Sequence, residues 1–144
     1  MHPLVTAAVI VLAASPAPTS LGVQPKARAY TLETSAVVGG AVLRANDHVD
    51  IVAVLNDDKR LVAVTLLQNV IVLANASPAP GEPRQLSLLV LPEEAELLAL
   101  AKASGQLSAT LRNEQDPNIL AERAVVTVRT ALTGERVPMK PGTK

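Results

Sequence analysis

From Arg28 to Glu33 the chain alternates between faces, with Tyr30 and Leu32 on one and Thr31 and Glu33 on the other, the period of a half-buried strand. The same period returns at residues 48–55, where Val49, Ile51, Ala53 and Leu55 face a core and His48 and Asp50 face away. It returns again at residues 106–112, with Leu107, Ala109 and Leu111 inward and Ser108, Thr110 and Arg112 outward. Val37-Val38-Gly39-Gly40 interrupts the pattern, since paired glycines mark a turn or a close approach of backbones. Asn56-Asp57-Asp58-Lys59 predicts a turn, because Asn and Asp bond their own backbone and tolerate the left-handed region. From residue 61 to 74 both faces are apolar, broken only by Thr65, Gln68 and Asn69. That run reads either as one central strand covered on both sides or as two strands bent at Gln68-Asn69. Buried amides must find partners, so Gln68 and Asn69 are expected to hold a bulge or corner through side-chain hydrogen bonds. Residues 77–83 (SPAPGEP) carry three prolines and cannot sustain a ladder; they form a surface loop.

The period changes once. After an apolar, strand-like stretch at residues 86–91, Pro92-Glu93-Glu94-Ala95-Glu96 opens a helix, with proline suited to a first turn and carboxylates favourable at the positive end of the helix dipole. Leu98, Ala99 and Lys102 follow Ala95 at helical spacing, Ala101 lies beside them, and Gly105 is a natural C-terminal stop, so the helix is expected from Pro92 to Ser104. Residues 113–118 form a polar loop around Asp116-Pro117, residues 125–130 a last strand, and residues 133–144, with two prolines and two glycines, a disordered tail. Together these elements predict a mostly β fold with one helix, either a compact β-clip-like unit or a small mixed sheet.

Charge divides the chain. Its 144 residues hold 13 acidic and 13 basic side chains, yet no Asp, Glu, Lys or Arg precedes Lys26. Residues 4–14 (LVTAAVIVLAA) are apolar apart from Thr6. A membrane-spanning helix needs about 20 such residues and the apolar part of a secretory signal about 7–15. Residues 1–20 are therefore expected to be an export signal, with Ala13, Ala14, Ser15 and Ala17 offering a cleavage site, or else a short anchor; residues 21–132 form the domain. The absence of cysteine excludes disulfides and thiolate metal sites. Balanced charge and a single ring, Tyr30, argue against a nucleic-acid binder, which ordinarily shows a basic face or stacking platforms. The core has to be aliphatic, and a scaffold or interaction module is expected before an enzyme.

Three blocks carry a resemblance. Residues 40–52 (GAVLRANDHVDIV) resemble the G-x-h-x-P-G-D-x-V-D-V segment, h being apolar, of the Flp pilus assembly family called CpaB or RcpC. Residues 66–74 (LLQNVIVLA) are similar to that family's L-L-Q-N-V-x-V-L-A, and residues 86–116 to its strand, P-E-E-A-E helix and L-R-N-x-x-D ending. The resemblance covers about residues 22–117. It implies a non-enzymatic envelope component of Flp, or Tad, pilus assembly, periplasmic or anchored in the inner membrane and facing the periplasm. Its implied partner is the outer-membrane secretin or another pilus-assembly protein, and it can also form homo-oligomers. The SAF domain, of β-clip type, that ordinarily precedes this region is expected to be missing here. Two departures stand out: Ala45-Asn46 replaces the family's Pro-Gly, and Leu91 replaces the threonine before P-E-E, so the helix lacks a side-chain oxygen to cap it.

Candidate chemistry is thin. Asp47-His48-Val49-Asp50 offers titratable groups, but Asp47 and Asp50 point to opposite faces of a strand, so the three polar groups do not converge. Glu93, Glu94 and Glu96 are explained by the dipole of a first helical turn. No nucleophile triad, phosphate loop or dinucleotide fingerprint is present. No residue is assigned a catalytic, cofactor-binding or metal-ligating role, and no cofactor is expected. The alternative function is a periplasmic glycan-binding module acting on peptidoglycan, for which Tyr30 is the only ring available to stack on a sugar.

Overall fold

The computed structural model describes residues 26–120, 124–133 and 137–138; the expected leader at residues 1–20 lies outside them. In chain order come β1 (Arg28–Glu33), β2 (Val37–Val38), β3 (His48–Asp57), β4 (Arg60–Ala76), β5 (Gln85–Val90), helix α1 (Pro92–Ser104), β6 (Gly105–Leu111), β7 (Ala124–Thr127), helix α2 (Val128–Thr133) and β8 (Val137–Pro138). The strands form a curled, mixed half-barrel in the order β1-β5-β4-β3-β6-β2, with β7 beside the start of β4 and β8 beside β7. Only β2 and β6 run parallel; the other pairs are antiparallel. The fold is thus mostly β, as the alternation predicts.

β3 and β4 make a long hairpin closed by Asp58-Lys59, with φ of 47° and 65°. Two successive left-handed residues match the twist of the flanking strands, which is why Asp and Lys can close it in two residues. The apolar run at residues 61–74 lies within one strand, and it bends. β4 gains one residue on β3 between Val70 and Leu67 and a second between Leu67 and Thr65, and Asn69 adopts φ 56° at the first bulge. The core between sheet and helix is aliphatic: Val49, Ile51 and Ala53 of β3, Leu67, Val70 and Val72 of β4, Leu86 and Leu88 of β5, Leu107 of β6, and Leu98 of α1. Tyr30 is half-buried and packs against it.

Several details differ from the sequence reading. On α1 the buried strip is Ala95, Leu98 and Ala101, while Ala99 and Lys102 are exposed, because the helix meets the sheet along a narrower, rotated line. Gly105 is extended, φ −171°, and is not a left-handed stop; β6 begins at it without a loop, and any Cβ there would strike the Val54 carbonyl of β3. Leu111, expected inward, is 60% exposed although its partner Val49 is buried, since β2 covers β6 only at Leu107 and Ser108 and leaves its last rungs at the edge of the sheet; the Arg112 side chain next to it, expected outward, is only 7% exposed. The last strand, expected to run to residue 130, stops at Thr127, which pairs Val62 near the hairpin tip, and the chain turns there into α2. In the tail expected to be disordered, Val137–Pro138 is strand paired to β7, and residues 134–136 and 139–144 lie outside the described residues.

Candidate functional site

The polar residues of the three sequence blocks meet at one junction. Asn69, held in the left-handed region by the β4 bulge, donates its backbone N–H to Asp50 Oδ1 at 2.8 Å and places its side-chain Oδ1 2.7 Å from His48 Nδ1. Arg112 Nη1 donates to both oxygens of Asp50, at 2.8 and 3.0 Å. Its Nη2 donates to the Asp116 carbonyl at 3.1 Å and to the Asn118 carbonyl, and forms an ion pair with Asp116 Oδ2 at 3.3 Å. The loop that presents those carbonyls is closed by two Asx turns, Gln115 N–H to Asn113 Oδ1 and Asn118 N–H to Asp116 Oδ1. Gln68 adds a two-way clasp: its Nε2 donates to the Leu120 carbonyl at 3.0 Å and its Oε1 accepts the Leu120 N–H at 2.9 Å.

Asp47 does not join this junction, as its opposite facing on the strand requires. Its Oδ2 accepts the Arg44 N–H at 2.7 Å and closes the turn before β3, where Asn46 takes φ 71°, the conformation expected of the residue standing in for glycine. His48 and Asp50 do share a face and are brought together, through Asn69. The Arg112 pKa is raised by its hydrogen bond to Asp50, against desolvation, with further help from the charges of Asp50 and Asp116. A raised cation pKa contributes stability that is complete below the unfolded value and is lost only as pH rises through the folded one, so Arg112 stays charged throughout the physiological range. Asp50 is already committed to Arg112 and Asn69, and His48 to an amide, so the geometry is that of a brace. Among the described residues no group of three His, Asp or Glu side chains could hold a metal ion.

A second polar knot escaped the sequence reading. Asn75, near the end of β4, donates from Nδ2 to the carbonyls of Gly40 and Leu43, each at 2.9 Å, and accepts from Thr34 Oγ1 at 2.8 Å. It ties the turns after β1 to the sheet. The only signal for it was an amide just beyond the apolar run, with no spacing to say which loop it would reach.

The edge of β1 and an apolar groove are among the surfaces left open by the described residues. β1 pairs β5 on one side and no strand on the other, leaving an open edge. An apolar groove of about 400 Å³ lies between α1 and the distal half of the β3–β4 hairpin, floored by Leu55, Val62, Val64 and Leu66 and walled by Leu97 and Leu100. Glu93, Glu94 and Glu96 cluster at the start of α1, where the Glu94 carboxylate accepts the Leu91 N–H at 2.8 Å. Leu91 itself offers no acceptor, so only that half of a capping box exists.

A curled β module braced by internal polar pairs and carrying an unfilled aliphatic groove has the features of an assembly domain. The family model of the Flp pilus assembly protein RcpC/CpaB matches residues 19–112, more than half of the chain, and the chain belongs to that family. It is a component of Flp pilus assembly. No curated protein and no solved structure matches it.

Proposed function

We propose that the domain is a non-enzymatic docking module that binds the outer-membrane secretin of the Flp machinery from the periplasmic side and helps to assemble or stabilise it. The observation that carries this reading is how the family's polar residues are spent. Asp50, Asn69 and Arg112 bond to one another and to nearby backbone, while the aliphatic groove and the β1 edge are left without partners among the described residues. Buried polar networks of that kind fix a shape, and open edges and apolar grooves recruit partners. Tyr30, leaning on the core, gives little support to a sugar-stacking role. Export fits the apolar run at residues 4–14, and among the described residues no helix is long and apolar enough to cross a membrane.

Co-expression with the secretin in an envelope preparation tests the proposal. Co-isolation in mild detergent is the expected result; clean separation while the protein remains folded would overturn it. Fractionation with amino-terminal sequencing tests the location, with a mature start between residues 15 and 21 in the periplasmic fraction expected, against an intact Met1 in the cytosol.

A further inference from the structure

α1 carries apolar residues on every side, between the charged Glu93, Glu94, Glu96 and Lys102. Ala95, Leu97, Leu98, Ala99, Leu100, Ala101 and Ala103 go round the helix, yet of these only Leu98 and Ala101 are fully buried. A helix with that pattern is ordinarily enclosed. Leu97 and Leu100 are instead 43% and 67% exposed, and with Glu93 and Ser104 they fall at spacings of four, seven and eleven, a single stripe along the edge of the groove.

We propose that this groove receives one helix of a partner protein, with an aliphatic face and at least one lysine or arginine flanking it. The proposal rests on the docking reading and names its surface. The floor is the face of a sheet whose backbone bonds run within the sheet, and the polar groups lining the groove are Asn56, Asp57 and Ser104. An entering segment must satisfy its own backbone, which a helix does and a strand does not. Charge selects the flank. Asp57 is the one charged residue lining the groove, and Glu93 and Glu96 stand one turn from Leu97 and Leu100. Arg60 pairs Asp57 across the hairpin tip but lines, with Lys59, a separate recess beside Thr127 and Val128, and helical spacing puts Lys102 on the far side of α1, which leaves Glu93 and Glu96 as the unpaired charges nearest the groove. Two copies of α1 packed stripe to stripe would bring glutamates onto an acidic surface, which disfavours self-association.

The probe is a synthetic helical peptide with leucines at i, i+3, i+4 and i+7 and lysines at both ends, titrated by fluorescence anisotropy against the full chain. Saturable binding is expected. It should weaken about tenfold or more with Leu100→Asp, the cost of losing an apolar anchor, and weaken also with Asp57→Asn, with added salt, or when the peptide's lysines become glutamates. Both positions are exposed, and an unchanged melting curve confirms that each variant is folded. Absence of saturable binding, or binding indifferent to Leu100→Asp, overturns the assignment. So does equal affinity for the glutamate peptide, or a dimer in sedimentation that Leu100→Asp dissolves. If secretin co-isolation survives Leu100→Asp, the groove is wrong and the docking reading stands; if the peptide binds and the secretin does not, the reverse holds.

Discussion

Asn69 serves the fold through three separate properties: a backbone that tolerates φ 56°, an N–H aimed at Asp50 and a carbonyl oxygen beside His48. These can be separated by substitution. Asn69→Gly keeps the left-handed backbone and the N–H, losing only the His48 contact, whereas Asn69→Val adds the cost of forcing a β-branched residue into that region, about 1–2 kcal/mol. Chemical denaturation should place the two variants in that order, and equal midpoints would show that the bulge is not held at φ 56°. Asn75 is the more demanding position. Its amide reaches three groups on two loops, so Asn75→Ala strands the Leu43 carbonyl and the Thr34 hydroxyl, leaves the Gly40 carbonyl with only the Leu43 N–H, and should cost about 1–3 kcal/mol by the same measurement. Asp50 and Arg112 act as a unit: the destabilisation from Asp50→Asn and Arg112→Met should be far from additive in a double-mutant cycle, because either change alone leaves a charge facing an empty place.

At the scale of elements, α1 shows both what a sequence reveals and what it hides. Its start and end were legible from Pro92, the three glutamates and Gly105, and local chemistry decides the start. The reason Gly105 ends it was not legible. The constraint is the β3 backbone passing against Gly105, a contact some fifty residues away in the chain, and Gly105→Ala should cost about 1–3 kcal/mol by pushing β6 from β3. Leu91 is the reverse case, visible in sequence as a missing cap. Leu91→Thr supplies the absent side-chain acceptor opposite the existing Glu94 bond, and the melting temperature should rise with a gain of about 0.5–1 kcal/mol. Strand identity was readable wherever one face is buried, as in β1, β3 and the first rungs of β6. It failed at Leu111 and Arg112, where β6 runs on beyond β2 as the edge of the sheet and alternation no longer tells which side is wet. The junction was legible only in part: the bulge at Gln68-Asn69 followed from amides in an apolar run, but that Asp50 and Arg112 close on it is a matter of sheet order, which alternation does not encode.

At the scale of the molecule, the family match ends at Arg112 while the fold does not. Arg112 needs the carbonyls of Asp116 and Asn118, and Gln68 needs the backbone of Leu120, so residues 113–120 complete a brace whose other half lies within the matched region. β7 then pairs Val62 and Ala63 of β4, along the side of the hairpin that β5 leaves uncovered. Shortening the chain in two steps separates these contributions. A chain ending at Leu120 keeps the Arg112 and Gln68 partners and loses only β7, α2 and β8. A chain ending at Arg112 loses the partners too, including two Gln68 hydrogen bonds that contribute about 0.5–1.5 kcal/mol each. Calorimetry should show the larger drop in melting temperature between the Leu120 and Arg112 endpoints. The chain ending at Leu120 should instead show more self-association than the full chain, because it uncovers the β4 edge at Val62 and Ala63. If the Arg112 endpoint melted no lower than the Leu120 endpoint, residues 113–120 would be an appendage, and the brace would have to hold on Asp50, Asn69 and Arg112 alone.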